Sequence, residues 1–246
     1  MAATKDFSKF NPLDYLQEYY ADDENDPEND FLLSFFHDVY GQMPRQKKLL
    51  EVGGGPVIYP LISASSKVDE IIFSEFTDEN RAAVKNWVQK HPTAFDWSRY
   101  FKYVAEMECT SPERIEERLR SRLKKIIKCD ISKSNPIAPL SHKDFDILSI
   151  NFCPESITDD EKDYMLWVRN IVSLLKPEGI LVMTMIRNAR YYNSGDTKFI
   201  ACPIDENGVA DALKMAGCRI TKMQSFDIND PERGYDGLIA LTAVKA

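Results

Sequence analysis

The sequence predicts an α/β fold in which a mostly parallel sheet, flanked by helices on both faces, ends in an antiparallel hairpin. Three observations support this prediction. From residue 47 onward, a strand-like run, a glycine-rich turn and a helical stripe follow one another, and strand-like runs and helical stripes then alternate, a pattern typical of parallel sheets. The last two strand-like runs have no helix between them, so they should pair as a hairpin. Residues 1–45 show helical spacing.

The N-terminal residues 1–45 are predicted to form a helical lid on a core of residues 46–246, both within a single domain. Asn11 is placed as an N-cap with proline at the first helical position, and Tyr15, Tyr19 and Tyr20 then fall on adjacent rows of a short helix. The acidic run of residues 22–30 is predicted to be a solvated turn. A second helix with an apolar stripe should follow from Phe31.

The core elements follow in a regular order. Strands are predicted at residues 49–52, 71–75, 126–130, 145–152 and 180–186, and the hairpin at 219–228 and 238–244. Helices are predicted at residues 56–65, 77–89, 111–125, 158–175 and 205–216. Thr158 and Glu161 have the spacing of a capping box at the start of the fourth of these helices.

Composition excludes several classes of protein. The 246 residues carry 31 basic and 39 acidic side chains, a net charge of −8, which argues against a general nucleic-acid binder. No apolar stretch approaches the roughly 20 residues of a membrane-spanning helix. The five cysteines and three histidines show no metal-ligand spacing. We therefore expect a cytoplasmic monomer with no metal, no membrane partner and no nucleic-acid partner.

A glycine-rich turn follows the first strand, where open α/β sheets bind ligands. Gly53, Gly54 and Gly55 would let the backbone approach a ligand closely. Ile58 stands where a dinucleotide fingerprint needs glycine or alanine, so pyrophosphate is not favoured. An amino acid moiety joined to adenosine fits better, and S-adenosylmethionine is such a ligand.

Acidic residues end the next two strands in register. Glu75 lies 22 residues after Gly53, where ribose-binding carboxylates occur in nucleotide-binding sheets. Asp130 ends the third strand and could accept from an adenine amino group while Ile131 packs on the ring. Asn80 is either a plain first-turn helix residue or a cofactor contact. Taken together, the strand ends predict a nucleoside site.

These residues belong to a wider pattern. The sequence resembles the nicotinamide, phenylethanolamine, indolethylamine and thioether methyltransferase family. The matching pieces include Asn11-Pro12 with Asp14-Tyr15-Leu16 and Tyr19-Tyr20, Leu50 to Pro56 with Ile58-Tyr59, Phe95-Asp96-Trp97-Ser98, Lys128-Cys129-Asp130, Leu174-Leu175-Lys176-Pro177 and Tyr191-Tyr192. The resemblance implies a Rossmann-like class I methyltransferase sheet. It also implies methyl transfer from S-adenosylmethionine to a small-molecule acceptor, an amine or a pyridine nitrogen.

The resemblance also implies which residues form the site. The expected cofactor-binding residues are Tyr15, Tyr20, Gly53, Gly54, Gly55, Tyr59, Glu75, Phe76, Asn80, Asp130, Ile131 and Ile150. The expected acceptor-binding residues are Tyr15, Asn151, Met185, Tyr192, Ala201 and Asp236. Tyr15 and Glu155 are the expected catalytic residues.

The sequence departs from the family in the acceptor pocket. Pro154 and Met185 stand where carboxylates are expected in amine-methylating relatives, and Ala201 where relatives can offer a hydroxyl. Glu155, one residue later in the sequence, is the expected substitute; Asp227, Asp230 and Asp236 of the hairpin could also reach the pocket, and each of these acids could instead be an ordinary surface residue. Arg187 and Arg190 either favour an anionic acceptor or are ordinary surface residues.

Two other functions stay open at this point. A module that binds the cofactor without turnover is one, because Pro154 and Met185 replace the expected acids. A nucleic-acid or protein methyltransferase is the other, because the segment Asn151-Phe152-Cys153-Pro154 partly resembles a motif used on planar amino groups. A dehydrogenase is disfavoured by the incomplete dinucleotide fingerprint.

Overall fold

The computed structural model describes residues 3–21, 26–141, 144–230 and 232–246. Its α-helices are α1 (Pro12–Tyr20), α2 (Pro27–Gln42), α3 (Leu61–Ala64), α4 (Asp78–Val88), α5 (Ser98–Met107), α6 (Pro112–Arg122), α7 (Glu161–Val172) and α8 (Glu206–Met215). Short 3₁₀ turns occupy Phe7–Lys9 and Pro154–Ser156. Among the described residues, no helix is both long enough and apolar enough to cross a membrane.

The strands form one large sheet and one separate hairpin. They are β1 (Gln46–Val52), β2 (Val68–Glu75), β3 (Leu123–Lys128), β4 (Phe145–Asn151), β5 (Leu175–Arg187), β6 (Tyr191–Ser194), β7 (Thr197–Ile200), β8 (Cys218–Asp227) and β9 (Gly237–Lys245). The seven-stranded sheet has the order β3-β2-β1-β4-β5-β9-β8, and β6 pairs with β7. Strands β1 to β5 run parallel, whereas β9 is antiparallel to both β5 and β8. The predicted parallel sheet with a terminal reversed hairpin is confirmed.

Each face of the sheet buries its own apolar cluster, because side chains alternate along a strand. On β5, Val182 and Ile186 belong to the cluster that includes α1 to α6, whereas Met183 and Met185 belong to the cluster of α7 and α8. Both clusters are built from fully buried Leu, Ile, Val and aromatic side chains. The site described below lies at the carboxyl ends of the parallel strands.

Several element boundaries differ from the prediction. The helix predicted at 56–65 is a turn followed by the short α3, because Pro56 and Pro60 lack the N–H groups that a helix interior needs. The helix predicted to start at Thr158 starts at Glu161, and Asp160 caps it by accepting from the Lys162 N–H at 2.7 Å. The acidic run 22–30 lies partly outside the described residues, and from Pro27 onward it is helix α2.

Two elements were not predicted at all. Helix α5 begins at Ser98, and its start is marked by Asp96, whose Oδ1 accepts from the Ser98 N–H at 2.9 Å. The β6–β7 hairpin contacts α1 directly: the Asn193 N–H donates to Tyr19 Oη at 3.1 Å, and Ser194 Oγ donates to the Asn11 carbonyl at 3.1 Å. These bonds tie the N-terminal helix to the hairpin.

Candidate active site

A cavity of about 450 Å³ opens at the carboxyl ends of the parallel strands. Its wall runs from Asp130 after β3, past Glu75 on β2 and the glycine turn after β1, to Ile186 on β5 and Leu238 on β9. Helix α1 and the start of α2 cover it. The volume lies within the range of small-molecule sites. The sheet order therefore gives the cavity two halves, one over β2 and β3 and the other over β4, β5 and β9.

The glycine turn joins the two halves. Gly53 and Gly55 have positive φ values of 64° and 57°, which side chains other than glycine rarely adopt. The N–H groups of Gly53 and Gly54 donate to the Ser74 carbonyl at 2.9 and 3.2 Å. Because these bonds tie the turn to β2, the backbone of Gly55 faces the cavity with no atom near the position of a Cβ.

Substitution by alanine should destabilise the fold to different extents at Gly53 and Gly55, the two glycines of this turn that have positive φ. In Gly53→Ala, the new Cβ would lie 2.0 Å from Cys153 Sγ, so we expect about 3 kcal/mol of destabilisation from crowding plus backbone strain. In Gly55→Ala the Cβ meets no atom within 4 Å, so only the backbone cost of about 1–2 kcal/mol remains. Urea denaturation of both variants checks this order. Equal losses of stability would contradict it.

Glu75 is the centre of a buried hydrogen-bond network at the end of β2. Its Oε2 accepts from the Gly55 N–H at 3.1 Å, and its Oε1 accepts from the Thr77 N–H at 3.0 Å and from Asn80 Nδ2 at 3.1 Å. These bonds orient the carboxylate toward the cavity, and Oε2 keeps accepting capacity. Asn80 Oδ1 is buried and has no partner among the described residues.

The far end of this half is formed by Asp130, Ile131 and Phe76. Asp130 Oδ1 accepts from the Ser132 N–H at 3.1 Å and from Ser132 Oγ at 2.6 Å. Ile131 is buried beside it, whereas Phe76 is 50% exposed on the cavity wall. An apolar slot with one oriented carboxylate can hold an aromatic ring that carries an amino group.

Aromatic rings roof the cavity. Tyr20 packs against Tyr59 with ring centroids 5.4 Å apart, and Tyr15 packs edge-on against Tyr192 at 6.4 Å. The phenol oxygens of Tyr15 and Tyr20 lie 3.5 Å apart. Burial raises the pKa of Tyr15 to about 12, so its phenol is neutral at physiological pH and does not act as a general base.

The second half of the cavity combines apolar walls with a polar group that the sequence did not indicate. Ile186 and Leu238, paired across β5 and β9, line it. Glu28 Oε2 accepts from Tyr235 Oη at 3.3 Å, and Glu28 Oε1 lies 3.3 Å from Arg233 Nη2. Burial raises the pKa of Glu28, and the Arg233 guanidinium opposes this shift. No motif connects these residues, because α2 and the β8–β9 loop meet only in the fold.

The predicted site residues divide into two groups. Those on the cavity wall are Tyr15, Tyr20, Gly53, Gly54, Gly55, Tyr59, Glu75, Phe76, Asn80, Asp130, Ile131, Asn151 and Tyr192. Ile150 and Met185 lie off the wall because strand alternation turns both into the cluster of α7 and α8. Ala201 is buried off the wall, and Asp236 faces solvent.

Three polar residues near the pocket have partners within the protein. Glu155 is fully buried off the cavity wall, and its Oε1 accepts from the Ile186 N–H at 3.2 Å. Asn151 lies on the wall but donates to Glu51 Oε1 at 2.9 Å and accepts from Thr184 Oγ1 at 2.8 Å. Arg187 pairs with Asp227 and Asp236, each at 2.7 Å, so it is not available to an anionic acceptor.

Sequence comparisons agree with this geometry. The model of the NNMT/PNMT/TEMT family matches residues 1–246. Human nicotinamide N-methyltransferase is 32% identical over 97% of this chain and 94% of its own length. Rabbit indolethylamine N-methyltransferase is also 32% identical, over 94% of this chain and 92% of its own. Rat phenylethanolamine N-methyltransferase is 28% identical over 89% and 81%.

Solved structures show the same fold at low sequence identity. Magnesium protoporphyrin IX methyltransferase from Synechocystis, solved with bound S-adenosylmethionine, has a TM-score of 0.62 at 12% identity and covers 98% of this chain and 95% of its own. A methyltransferase from Methanosarcina mazei has a TM-score of 0.59 at 14% identity, covering 85% and 96%. These structures show the fold, whereas the family match over residues 1–246 and the relatives of 32% identity show the family. The chain belongs to the NNMT/PNMT/TEMT family of S-adenosylmethionine-dependent small-molecule methyltransferases.

Proposed function

We propose that this chain methylates an amine or pyridine nitrogen of a small molecule, with S-adenosylmethionine bound across the glycine turn. The observation that carries the proposal is the oriented Glu75 carboxylate beside Gly55, in the half of the cavity over β2 and β3. In this arrangement Glu75 receives the ribose hydroxyls, Asp130 the adenine amino group, and the glycine turn the methionine part.

The residues on the wall fit this cofactor in chemistry as well as in position. Asn80 Oδ1 is a buried acceptor without a partner among the described residues, and such an atom is costly unless a ligand or water donates to it. Gly55 leaves space where any larger residue would project a side chain. Ile131 and the exposed Phe76 offer the apolar surfaces that a purine ring needs.

The chain's own residues mainly position the reactants. When bound, S-adenosylmethionine would supply an electrophilic methyl group to the lone pair of a neutral acceptor nitrogen, and its sulfur would keep the electron pair of the bond that breaks. Tyr15 and Tyr192, packed edge to face, would hold the acceptor in line and exclude water. Such positioning can contribute about 7–11 kcal/mol. Tyr15 would act by contact, because its phenol stays protonated.

Glu155 has a supporting role in this proposal. Its side chain is off the cavity wall and accepts from the backbone of Ile186, which is on the wall. We therefore propose that Glu155 orients the β5 end rather than exchanging protons with the acceptor. Met185, Ala201 and Asp236 have no part in acceptor binding in this arrangement.

Helix α1 would act as a lid over the bound reactants. Its support is the contact of Tyr19 and Asn11 with the β6–β7 hairpin, and the bridge between Thr4 and Phe199. We further propose that the chain is a single domain that works as a cytoplasmic monomer. All five cysteines are free, as expected in a reducing compartment.

The proposed function predicts that Asp130→Ala weakens cofactor binding by about 10- to 100-fold, because one hydrogen bond to a charged group is lost. Calorimetric titration with S-adenosylmethionine measures this change, and methyl transfer is followed by mass spectrometry with a panel of amines and pyridines. Asp144→Ala, an exposed acid at the start of β4, is the control. Unchanged affinity in Asp130→Ala would contradict the assigned adenine position.

A further inference from the structure

A carboxylate, Glu28, lies in the half of the cavity over β4, β5 and β9, here called the acceptor half because the proposed function places the acceptor there. Neither acid expected from amine-methylating relatives is present in this half. Glu28 is in the first turn of α2, and its side chain is 20% exposed on the cavity wall. The positive end of the helix dipole favours a charged carboxylate at this position. Asp26 caps the same helix and is committed to the Asn29 N–H at 3.0 Å.

The partners of Glu28 orient it without using all of its accepting capacity. Tyr235 Oη and Arg233 Nη2 each lie 3.3 Å from one carboxylate oxygen, whereas a carboxylate can accept about four hydrogen bonds. Arg233 is shared among several groups: it lies 3.9 Å from Asp230 Oδ2 and 5.6 Å from the Tyr19 ring centroid. Glu28 therefore keeps room for a donor from a ligand.

The charge and surface of this half favour a cationic molecule with an apolar body. Near the covering helices the wall carries Glu18, Asp26 and Glu28, and within the described residues Arg233 is the single basic side chain on it. The opposite wall is made of Tyr192, Ile186 and Leu238. A protonated amine with an aryl or alkyl body complements both surfaces.

We propose that Glu28 is the residue that selects the acceptor: it binds the amino group of a protonated aryl- or alkylamine and takes its proton, directly or through a water, before the freed nitrogen lone pair attacks the methyl group, and Arg233 and Tyr235 are positioning residues. This inference rests on the proposed function and narrows it from amines or pyridines to amines. It also explains how the chain accommodates Pro154 and Met185, because the carboxylate comes from α2 instead of from the ends of β4 and β5.

The test uses the full chain saturated with S-adenosylhomocysteine, so that no turnover is needed. Calorimetry compares a set of amines with their neutral isosteres, for example 2-phenylethylamine with 2-phenylethanol, together with 4-ethylpyridine. We expect the wild type to bind the best amine at least about 10-fold more tightly than its alcohol, since a hydrogen bond between charged groups is worth this much. Glu28→Gln should remove this preference while leaving the affinity for the alcohol and for S-adenosylhomocysteine within twofold.

The control is Glu232→Gln, which changes an exposed acid in the same loop as Arg233 and should keep the amine preference. A wild type that binds each amine no better than its alcohol, or a Glu28→Gln variant that keeps the preference, would overturn the inference. Neither result would contradict the proposed function, provided that S-adenosylhomocysteine still binds. Failure of S-adenosylhomocysteine to bind the wild type would overturn the proposed function, and this inference with it.

Discussion

Replacing Glu75 with alanine is expected to weaken S-adenosylmethionine binding by about 100- to 10,000-fold. The carboxylate would lose its hydrogen bonds to two ribose hydroxyls, each worth about 1.5–3 kcal/mol because the acceptor is charged. In this variant the Gly55 N–H and Asn80 Nδ2 would also lose the acceptor to which they donate in the wild type, the Glu75 carboxylate. Calorimetric titration with S-adenosylmethionine measures the loss.

Two further variants separate ligand binding from folding. Glu75→Gln keeps the shape of the side chain but turns one accepting oxygen into a donor, so we expect an intermediate loss of affinity. Glu79→Ala, an exposed acid on α4, should bind like the wild type. The assignment of Glu75 to the ribose would be wrong if Glu75→Ala kept wild-type affinity while folding normally.

The second large effect concerns pH and stability. Burial raises the pKa values of Glu51 and Glu155 from the usual 4.5 to about 8. Between these values the unfolded chain loses the protons that the folded chain retains, so unfolding releases protons. The contribution of Glu51 and Glu155 to the free energy of unfolding is therefore greatest below about pH 4.5. It should fall by about 1.4 kcal/mol per pH unit for each carboxyl until about pH 8.

Urea denaturation across this range, with Glu155→Gln as the main variant, measures the slope. Glutamine cannot ionise and keeps an oxygen that can accept from the Ile186 N–H, as Glu155 Oε1 does at 3.2 Å. The variant should lose part of the slope and gain stability at about pH 8, and Glu51→Gln should act in the same direction. The exposed Glu161→Gln serves as the control. A wild-type slope in Glu155→Gln would show that this carboxyl is ionised in the folded chain.

The sequence predicted those parts of the fold that depend on local pattern. Short strand-like runs alternating with helical stripes indicated every strand of the large sheet, and the absence of a helix before β9 indicated the reversed pair. The predicted half of the site over β2 and β3 also follows from local pattern. Glu75 and Asp130 end neighbouring parallel strands, and such ends meet at one edge of a sheet.

The acceptor half could not be predicted in the same way. Glu28, Arg233 and Tyr235 meet only because α2 packs beside the β8–β9 loop, and no spacing in the sequence reports that contact. Met185 was expected at the pocket because the family resemblance aligns it with a carboxylate of amine-methylating relatives, but alternation along β5 turns it to the other face. Faces of a buried strand are hard to assign when both are apolar.

The central claim is that a sulfonium nucleoside lies across the glycine turn with its ribose at Glu75. A crystal structure of the chain with S-adenosylhomocysteine tests this claim most directly. We predict ribose hydroxyls within hydrogen-bond distance of Glu75, the adenine beside Asp130 and Ile131, and the homocysteine part under Tyr20. A ligand bound over β5 and β9 instead, with Glu75 still bonded only to Gly55, Thr77 and Asn80, would contradict it.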